Sequence, residues 1–345
     1  MINFRSYSNL SKCFLPPNLQ VNGNLNFSGL KNLTEATLPV NITLMLHTFD
    51  CCTAFETAIC GPNVTDMNHA YNGCTNLKTA VCGPNVTNMY YAYFYFTYLK
   101  TAVCGPNVIN MYYTYGYCNN LETAACGPNV TDMTYTYQNC TNLKTAVCGN
   151  KVTYMFQTYK GCPSLETAVC GPNVRKFEGV YSNCINLKTA VCGPNVTSMT
   201  DTYKNCSSLE IAVCGPSVTS MSNTYQNCTN LKTAVIGPNV TSAYRAYYGA
   251  TNVQGNTYCY AANLNSTRAL TGCFGKRDNS NQLNIYVPVN SQSLTRMQLT
   301  NASSITGSNI TWTNDTTNNC IYNSSYNIYI YPVEDIDAVR LANGD

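Results

Sequence analysis

The chain has 345 residues, enough for one large unit or two domains and ample to bury a core. Only 10% are charged, against about 25% in an ordinary soluble domain, and the formal net charge of +3 excludes the basic footprint of a nucleic-acid or anionic-membrane binder. A hydrophobic share of 45% excludes a chain kept disordered by low hydrophobicity, and His47, His69 and Trp312 are thin material for acid–base or metal chemistry, so neither an enzyme nor a cofactor is expected.

The opening MINFRSYSNLSKCFLPPN lacks the apolar stretch of a secretory signal, and no apolar run is long enough for a membrane helix. The closing VRLANGD matches neither a sorting signal nor a lipidation site. No signal peptide and no membrane insertion are therefore expected.

A repeat governs most of the chain. CGPNV begins at Cys60, Cys82, Cys104, Cys126, Cys170 and Cys192, with CGNKV at Cys148, CGPSV at Cys214 and IGPNV at Ile236, each 22 residues from the next. Written from its leucine, one unit is LKTAVCGPNVTNMYYAYFYFTY, residues 77–98. Further units start at Leu99, Leu121, Leu143, Leu165, Leu187, Leu209 and Leu231, with looser copies at Phe55, Leu33 and Leu10 and a degenerate one opening at Val253.

A period of 20–29 residues with L-x-x-L-x-L spacing indicates a leucine-rich solenoid. Numbering the unit from Leu77, positions 1, 4 and 6 (Leu77, Ala80, Cys82) point inward, and the alternation of a strand turns Thr79 and Val81 outward. Gly83-Pro84 ends the strand, because proline has no N–H for a parallel ladder. On the return, Val86, Met89, Tyr93 and the position of Cys74 or Cys118 recur three or four apart, which predicts one face of a helical or 3₁₀ turn.

The alternation V-T-x-M, then an aromatic, then C-x-x-L, as in NVTDMTYTYQNCTNL from Asn129, resembles the BspA-like leucine-rich repeat family of microbial surface and phage-associated proteins. The resemblance implies adhesion or host interaction. Two features depart from it: cysteine stands at position 6 where the family usually has Ile or Leu, and family members at cell surfaces usually carry an export signal.

Position 2 alternates in sign along Glu56, Lys78, Lys100, Glu122, Lys144, Glu166, Lys188, Glu210 and Lys232, broken only at Lys78–Lys100. In-register stacking places these charges side by side, so the row reads as register control. Each exposed pair is worth about 0–1 kcal/mol.

Of 21 cysteines, most fall at two positions. Position 6 holds Cys60, Cys82, Cys104, Cys126, Cys148, Cys170, Cys192 and Cys214; position 20 holds Cys52, Cys74, Cys118, Cys140, Cys162, Cys184, Cys206 and Cys228. Both read as buried structural thiols, since free cysteine behaves as a small hydrophobe and Phe96 and Ile236 replace it. An inter-coil disulfide ladder is the rival, permitted by distance but awkward for parallel side chains and for an odd total. Zinc is not expected, because no C-x-x-C pair occurs.

The strand face varies little, and its Thr/Val rows read as an exposed sheet rather than a lattice-binding face. The variable side is the return, positions 14–16 and 18–19. There the units at 77–120 carry Tyr90, Tyr91, Tyr95, Tyr112, Tyr113 and Tyr117, a candidate binding surface, since tyrosine offers large contact area at low entropy cost. Asn-Val-Thr triplets at Asn63, Asn85, Asn129, Asn195 and Asn239 match the glycosylation acceptor, with hydrogen-bonded stacked asparagines as the alternative. Asp66 and Asp132, three coils apart, make a poor pair for glycoside chemistry.

The sequence divides into a solenoid over 1–253, a cap and connector over 254–281 containing GKRDNSN, and a small α+β module over 282–345. That module reads as a strand at QLNIYVPV, a capped helix from SQSLTRMQL, strands at NITWTND (with Trp312 as core anchor) and YNIYIYPV, and a helix in EDIDAVRLANG stopped by Gly344. The expected fold class is an α/β repeat: a leucine-rich-repeat solenoid with one parallel sheet, short helical, 3₁₀ or irregular returns, and the C-terminal module. The expected function is non-catalytic recognition of a protein or glycan on another cell by a virion-associated or leaderless surface protein; a structural spacer whose C-terminal module makes the attachment is the alternative.

Overall fold

In the computed structural model, residues 1–58, 60–253, 255–264, 273, 282–289, 291, 313–324 and 327–342 are described. Trp312, the GKRDNSN run, Gly344 and all but Ser291 of the SQSLTRMQL segment lie outside them. The chain divides into two compact units, Met1–Asn173 and Val174–Asp345.

In the first unit, Thr101–Ala102, Thr123–Ala125, Thr145–Val147 and Thr167–Val169 form a parallel ladder, with Ala124 opposite Ala146 and Ala146 opposite Ala168. Every strand residue thus meets its own equivalent one unit on. The strand is short because the turn after it is obligatory. Gly83-Pro84-Asn85-Val86 closes with the Val86 N–H donating to the Gly83 carbonyl at 3.3 Å, and Val130 and Val152 repeat the bond to Gly127 and Gly149. Proline at the second position of that turn already holds the required φ.

The core matches the inward positions. In the unit from Leu121, side chains at Leu121, Ala124, Val130, Met133, Tyr137 and Cys140 are buried. Burying a Val, Leu or Met contributes about 1.5–3 kcal/mol. Tyr71, Tyr93, Tyr115, Tyr137 and Tyr159 stack in one buried row with centroids 5.6–5.8 Å apart. The hydroxyls of Tyr93 and Tyr115 donate to the carbonyls of Val81 and Val103.

Of the helical, 3₁₀ or irregular returns expected, the return segment takes the form of successive turns closed by bonds between residues three apart, without a regular helix among the described residues of this unit. Left-handed φ recurs at position 15 (Tyr91, Tyr113, Tyr135, Gln157) and position 19 (Tyr95, Tyr117, Asn139), between +50° and +67°. This alternation sends main-chain groups in two directions. The N–H groups of Met89, Tyr91, Tyr93 and Tyr95 donate to Asn110, Tyr112, Thr114 and Gly116 of the next coil, while those of Thr114, Gly116 and Cys118 close turns onto Met111, Tyr113 and Tyr115. A main chain buried without helix must account for each donor, and the register of coil on coil does so.

Position 16, grouped with the variable side in the sequence, is buried instead. The Thr114, Thr136 and Thr158 hydroxyls donate to the carbonyls of Met89, Met111 and Met133 in the preceding coil at 2.7–2.8 Å. Position 6 also differs from the sequence reading. Cys148 is buried, but Cys60, Cys82, Cys104, Cys126 and Cys170 are half-buried, whereas Cys52, Cys74, Cys118, Cys140 and Cys162 at position 20 have no exposure. Ahead of Leu10, Ile2–Asn3 pairs in parallel with Leu25–Asn26, and Phe4 stacks on Phe27 at 4.4 Å, so one more return segment precedes the first unit found in the sequence.

The second unit repeats the design. Thr189–Val191 pairs with Ile211–Val213, Tyr181, Tyr203, Tyr225 and Tyr247 stack, and Cys184, Cys192, Cys206 and Cys228 are buried while Cys214 is half-buried. Ala234–Ile236 then pairs in parallel with Gly255–Cys259, which pairs with Leu283–Pro288, which pairs with Ile328–Val333. Two antiparallel strands, Cys320–Asn323 and Thr313–Asp315, finish the edge, the former having no counterpart in the sequence reading. The C-terminal region is therefore sheet-rich, and its six-stranded sheet starts at the last repeat strand, Ala234–Ile236, and is distinct from the ladder of the preceding repeats. The helix Ile336–Ala342 carries Asp337 in its first turn and Arg340 in its last, as the helix dipole favours.

Within the charge row, Lys78 meets Glu56 at 2.9 Å and Lys232 meets Glu210 at 3.9 Å, both exposed. The steps Lys100–Glu122 and Glu122–Lys144 are joined through the main chain instead. A further pair, Lys12–Glu35 at 3.0 Å, lies at position 3 of the first two units.

Candidate recognition surface

The left-handed residues decide what faces outward on the first unit. From His47 to Gln157 every position-15 residue has a positive φ and an exposed or half-buried side chain, and main-chain bonds such as Tyr91 N–H to the Tyr112 carbonyl set each coil on the next. Position 15 thereby becomes a row of stacked rings: His47 on His69 at 4.4 Å, His69 on Tyr91 at 4.8 Å, Tyr91 on Tyr113 at 4.6 Å and Tyr113 on Tyr135 at 4.4 Å. Tyr90 stacks on Tyr112 at 5.0 Å beside it. Tyr95 stacks on Tyr117 at 4.7 Å from position 19.

Phe94 binds the rows together, meeting Tyr91, Tyr95, Tyr113 and Tyr117 edge-on with centroids 4.6–5.7 Å away. Gly116 makes room for it: a Cβ there would stand 2.7 Å from the Phe94 ring. Aromatic pairs of this kind contribute about 0.5–1.5 kcal/mol each beyond area burial. The six tyrosines singled out in the sequence are thus brought into one continuous surface. His47, His69, Phe94 and Tyr135 join it, and the sequence reading missed them. Aligning position 15 of the units at Leu33 and Phe55 would have found both histidines.

Packing alters the titration of these rings. Burial, and then the neighbouring Tyr90 and Tyr112, raise the Tyr91 hydroxyl to about 12. Tyr112 and Tyr113 also rise, chiefly through burial. His69 is lowered by burial and by His47, with Asp50 opposing. Asp50 lies 3.1 Å from the His47 ring. At neutral pH Tyr91, Tyr112 and Tyr113 are therefore neutral phenols, and His69 resists protonation. Stacked on one another, these rings turn their edges and hydroxyls outward, an aromatic band with a polar rim that suits a protein partner or the hydroxyls of a glycan.

Other candidate residues have structural partners. The Asp66 and Asp132 carboxylates accept the Asn68 and Thr134 N–H groups at 2.9 and 2.8 Å, capping the turn at position 14. Asn63, Asn85 and Asn129 donate through their side-chain amides to the carbonyls of Val40, Pro62 and Pro106 in the preceding coil at 2.8–2.9 Å. In the second unit Asn239 does the same to Pro216. Val81, Val103 and Val147 of the strand face are exposed. Among the described residues no three His, Cys, Asp or Glu side chains gather as a metal set.

In the second unit a cleft of about 540 Å³ lies over Ile211, Val213 and Val235, with Tyr260, Asp337 and Arg340 at its rim. The Tyr260 hydroxyl donates to Asp337 there at 2.7 Å.

Among solved structures, a leucine-rich repeat protein from Bacteroides ovatus is 15% identical, covering 80% of this chain and 81% of its own, with a TM-score of 0.44. A leucine-rich cell surface protein from Faecalibacterium prausnitzii is 15% identical over 73% of this chain and 88% of its own, with a TM-score of 0.42. The pneumococcal vaccine antigen PcpA is 10% identical over 83% and 86%, with a TM-score of 0.49. No curated protein matches the sequence. The model of the BspA type leucine rich repeat region matches in 6 copies, over residues 3–122, 107–188 and 156–273. The chain belongs to the BspA-type leucine-rich repeat family.

Proposed function

We propose that this protein is a non-catalytic recognition or adhesion protein that presents the aromatic surface of its first unit to a glycan or protein on another cell. The observation that carries the reading is the continuous stack through His69, Tyr91, Tyr113 and Tyr135, joined by Phe94 to the Tyr95–Tyr117 pair. Rings held rigid by stacking lose little entropy on binding. The reading places the protein at a microbial surface or on a virion. It needs no membrane helix, and among the described residues no helix is long and apolar enough to be one.

A second reading, in which the repeat is a spacer and the C-terminal region makes the attachment, draws on the cleft beside Tyr260 and Asp337. Covalent tyrosine labelling of the full chain, free and bound to intact bacterial cells, separates the two. Protection of Tyr90, Tyr91, Tyr95, Tyr112, Tyr113 and Tyr117 is the expected outcome. Protection confined to Tyr260 and its surroundings would favour the spacer.

A further inference from the structure

The first unit carries a second surface that the aromatic reading does not use. Position 10 is a buried aliphatic residue, Ile42 in the first coil of the surface and then valine (Val64, Val86, Val108), so positions 9 and 11 on either side of it face outward together. Stacked in register, they line a groove of about 930 Å³ that runs from Asn41 to Lys151, within the range of ligand-binding clefts. Asparagine lines one side and threonine the other, with Ile109 interrupting the threonines.

These side chains are fixed before any ligand arrives. Asn85 and Asn107 donate one amide hydrogen to the Pro62 and Pro84 carbonyls at 2.8 Å, and Asn63 donates to Val40 at 2.9 Å. The Thr65 and Thr87 hydroxyls donate to the Thr43 and Thr65 carbonyls at 3.2 Å. A primary amide has two hydrogens and an acceptor oxygen, and a hydroxyl keeps its lone pairs after donating once. The coils of Asn63 with Thr65 and of Asn85 with Thr87 therefore each offer the groove an amide donor, an amide acceptor and a hydroxyl acceptor, beside a threonine methyl. The set recurs at the coil spacing of about 4.8 Å.

Charge narrows the ligand. No carboxylate lines the groove, and its one cation, Lys151, sits at the end with its ammonium 2.7 Å from the Asn129 amide oxygen. A polyanion would meet too little positive charge, and a polycation none of the opposite sign. An uncharged, hydroxyl-rich, linear polymer satisfies the amides and lays its C–H faces on the methyls. We propose that this groove binds a neutral linear polysaccharide, with the sugar chain lying along the coil-stacking direction. The proposal rests on the recognition reading only in taking the chain to be a binding protein, because it names a different surface.

Two variants place a charge in the groove. Ile109 makes no side-chain hydrogen bond, and its N–H keeps the 2.9 Å bond to Thr87, so Ile109→Glu adds a charge without removing a partner. Asn107→Lys copies Lys151, which already fills position 9 of its own unit. Affinity electrophoresis of the full chain through gels of mixed-linkage β-glucan, xylan or mannan, with alginate as the anionic control, reads the result. Retardation by at least one neutral polysaccharide, weakened about tenfold or more in both variants, is expected. A strand-face control, Val147→Ser, at an exposed side chain outside both surfaces, should be retarded like the parent.

Absence of retardation by all three neutral polysaccharides would overturn the proposal. So would retardation that the groove variants leave unchanged, or stronger retardation by alginate. Cell binding that needs the tyrosines but not the groove would sink the groove alone and leave the recognition reading standing.

Discussion

The sulfur of Cys82 lies 2.7 Å from the point where a Cβ would stand on Gly105, one coil further along. Cys60 stands in the same relation to Gly83, and Cys104 to Gly127 at 2.8 Å. The preceding coil's glycine carbonyl is also close, 3.1 Å from that point at Gly105. The repeated Cys-Gly pair is therefore one packing device: the thiol of each coil occupies the space that the next coil's glycine leaves.

Gly105→Ala is expected to destabilise the fold by about 1–3 kcal/mol, the usual cost of overpacking. Cys82→Ala in the same chain should recover part of that loss and not all, since the Gly83 carbonyl remains. Urea unfolding of the two single variants and the double variant checks this. Strict additivity would show that sulfur and glycine do not share the space.

The two cysteine positions should differ in reactivity. At position 20 the thiols of Cys118 and Cys140 donate to the carbonyls of Tyr93 and Tyr115 at 3.3 and 3.1 Å and have no exposure. At position 6 the thiols are mostly half-buried, and Cys51 is exposed. Alkylation of the native chain followed by mass spectrometry should label Cys51 first, position 6 slowly, and position 20 only in denaturant. Early labelling of Cys118 or Cys140 would contradict the packing.

Stability should fall in alkali. Burial raises the thiols of Cys52, Cys104, Cys118 and Cys148 from 9.0 to about 12. A group whose folded value is raised contributes fully below its unfolded value and loses that contribution as pH climbs to the folded one. The urea midpoint should hold steady up to about pH 9 and then fall steadily towards pH 12. A flat midpoint across that interval would show the thiols to be solvated.

Left-handed backbone at position 15 restricts which residues fit there. Gln157 has a φ of +50°, a region that β-branched side chains resist. Gln157→Ile should cost about 1–2 kcal/mol, while Gln157→Gly should be close to neutral. Thermal unfolding of both variants measures the difference, and equal stability would argue against the turn geometry.

Much of this fold is written in the sequence in a form that simple periodicity can read. Strict alternation at Thr79, Ala80 and Val81 tells inside from outside, and the 22-residue spacing sets the register between strands. The return segment is harder. Residues recurring three or four apart suit a helix and a chain of turns equally, and only main-chain hydrogen bonding to the next coil separates them. Thr114 and Thr136 look like surface residues until their carbonyl partners are known. The tyrosine cluster was legible because six rings fall in two adjacent units. The histidines were not, because they belong to the surface only through stacking across coils. The Asn/Thr groove was likewise hidden, since asparagines stacked and hydrogen-bonded along a turn read as structure rather than as a lining.

Binding of the labelled full chain to a glycan array and to intact bacterial cells tests the central claim most directly, run beside the variant with Tyr90, Tyr91, Tyr112 and Tyr113 changed to Ser. With the fold of the variant verified by circular dichroism, the account predicts binding by the parent chain and a loss of about tenfold or more in the variant. Equal binding by the two chains would contradict it and move recognition off the aromatic surface.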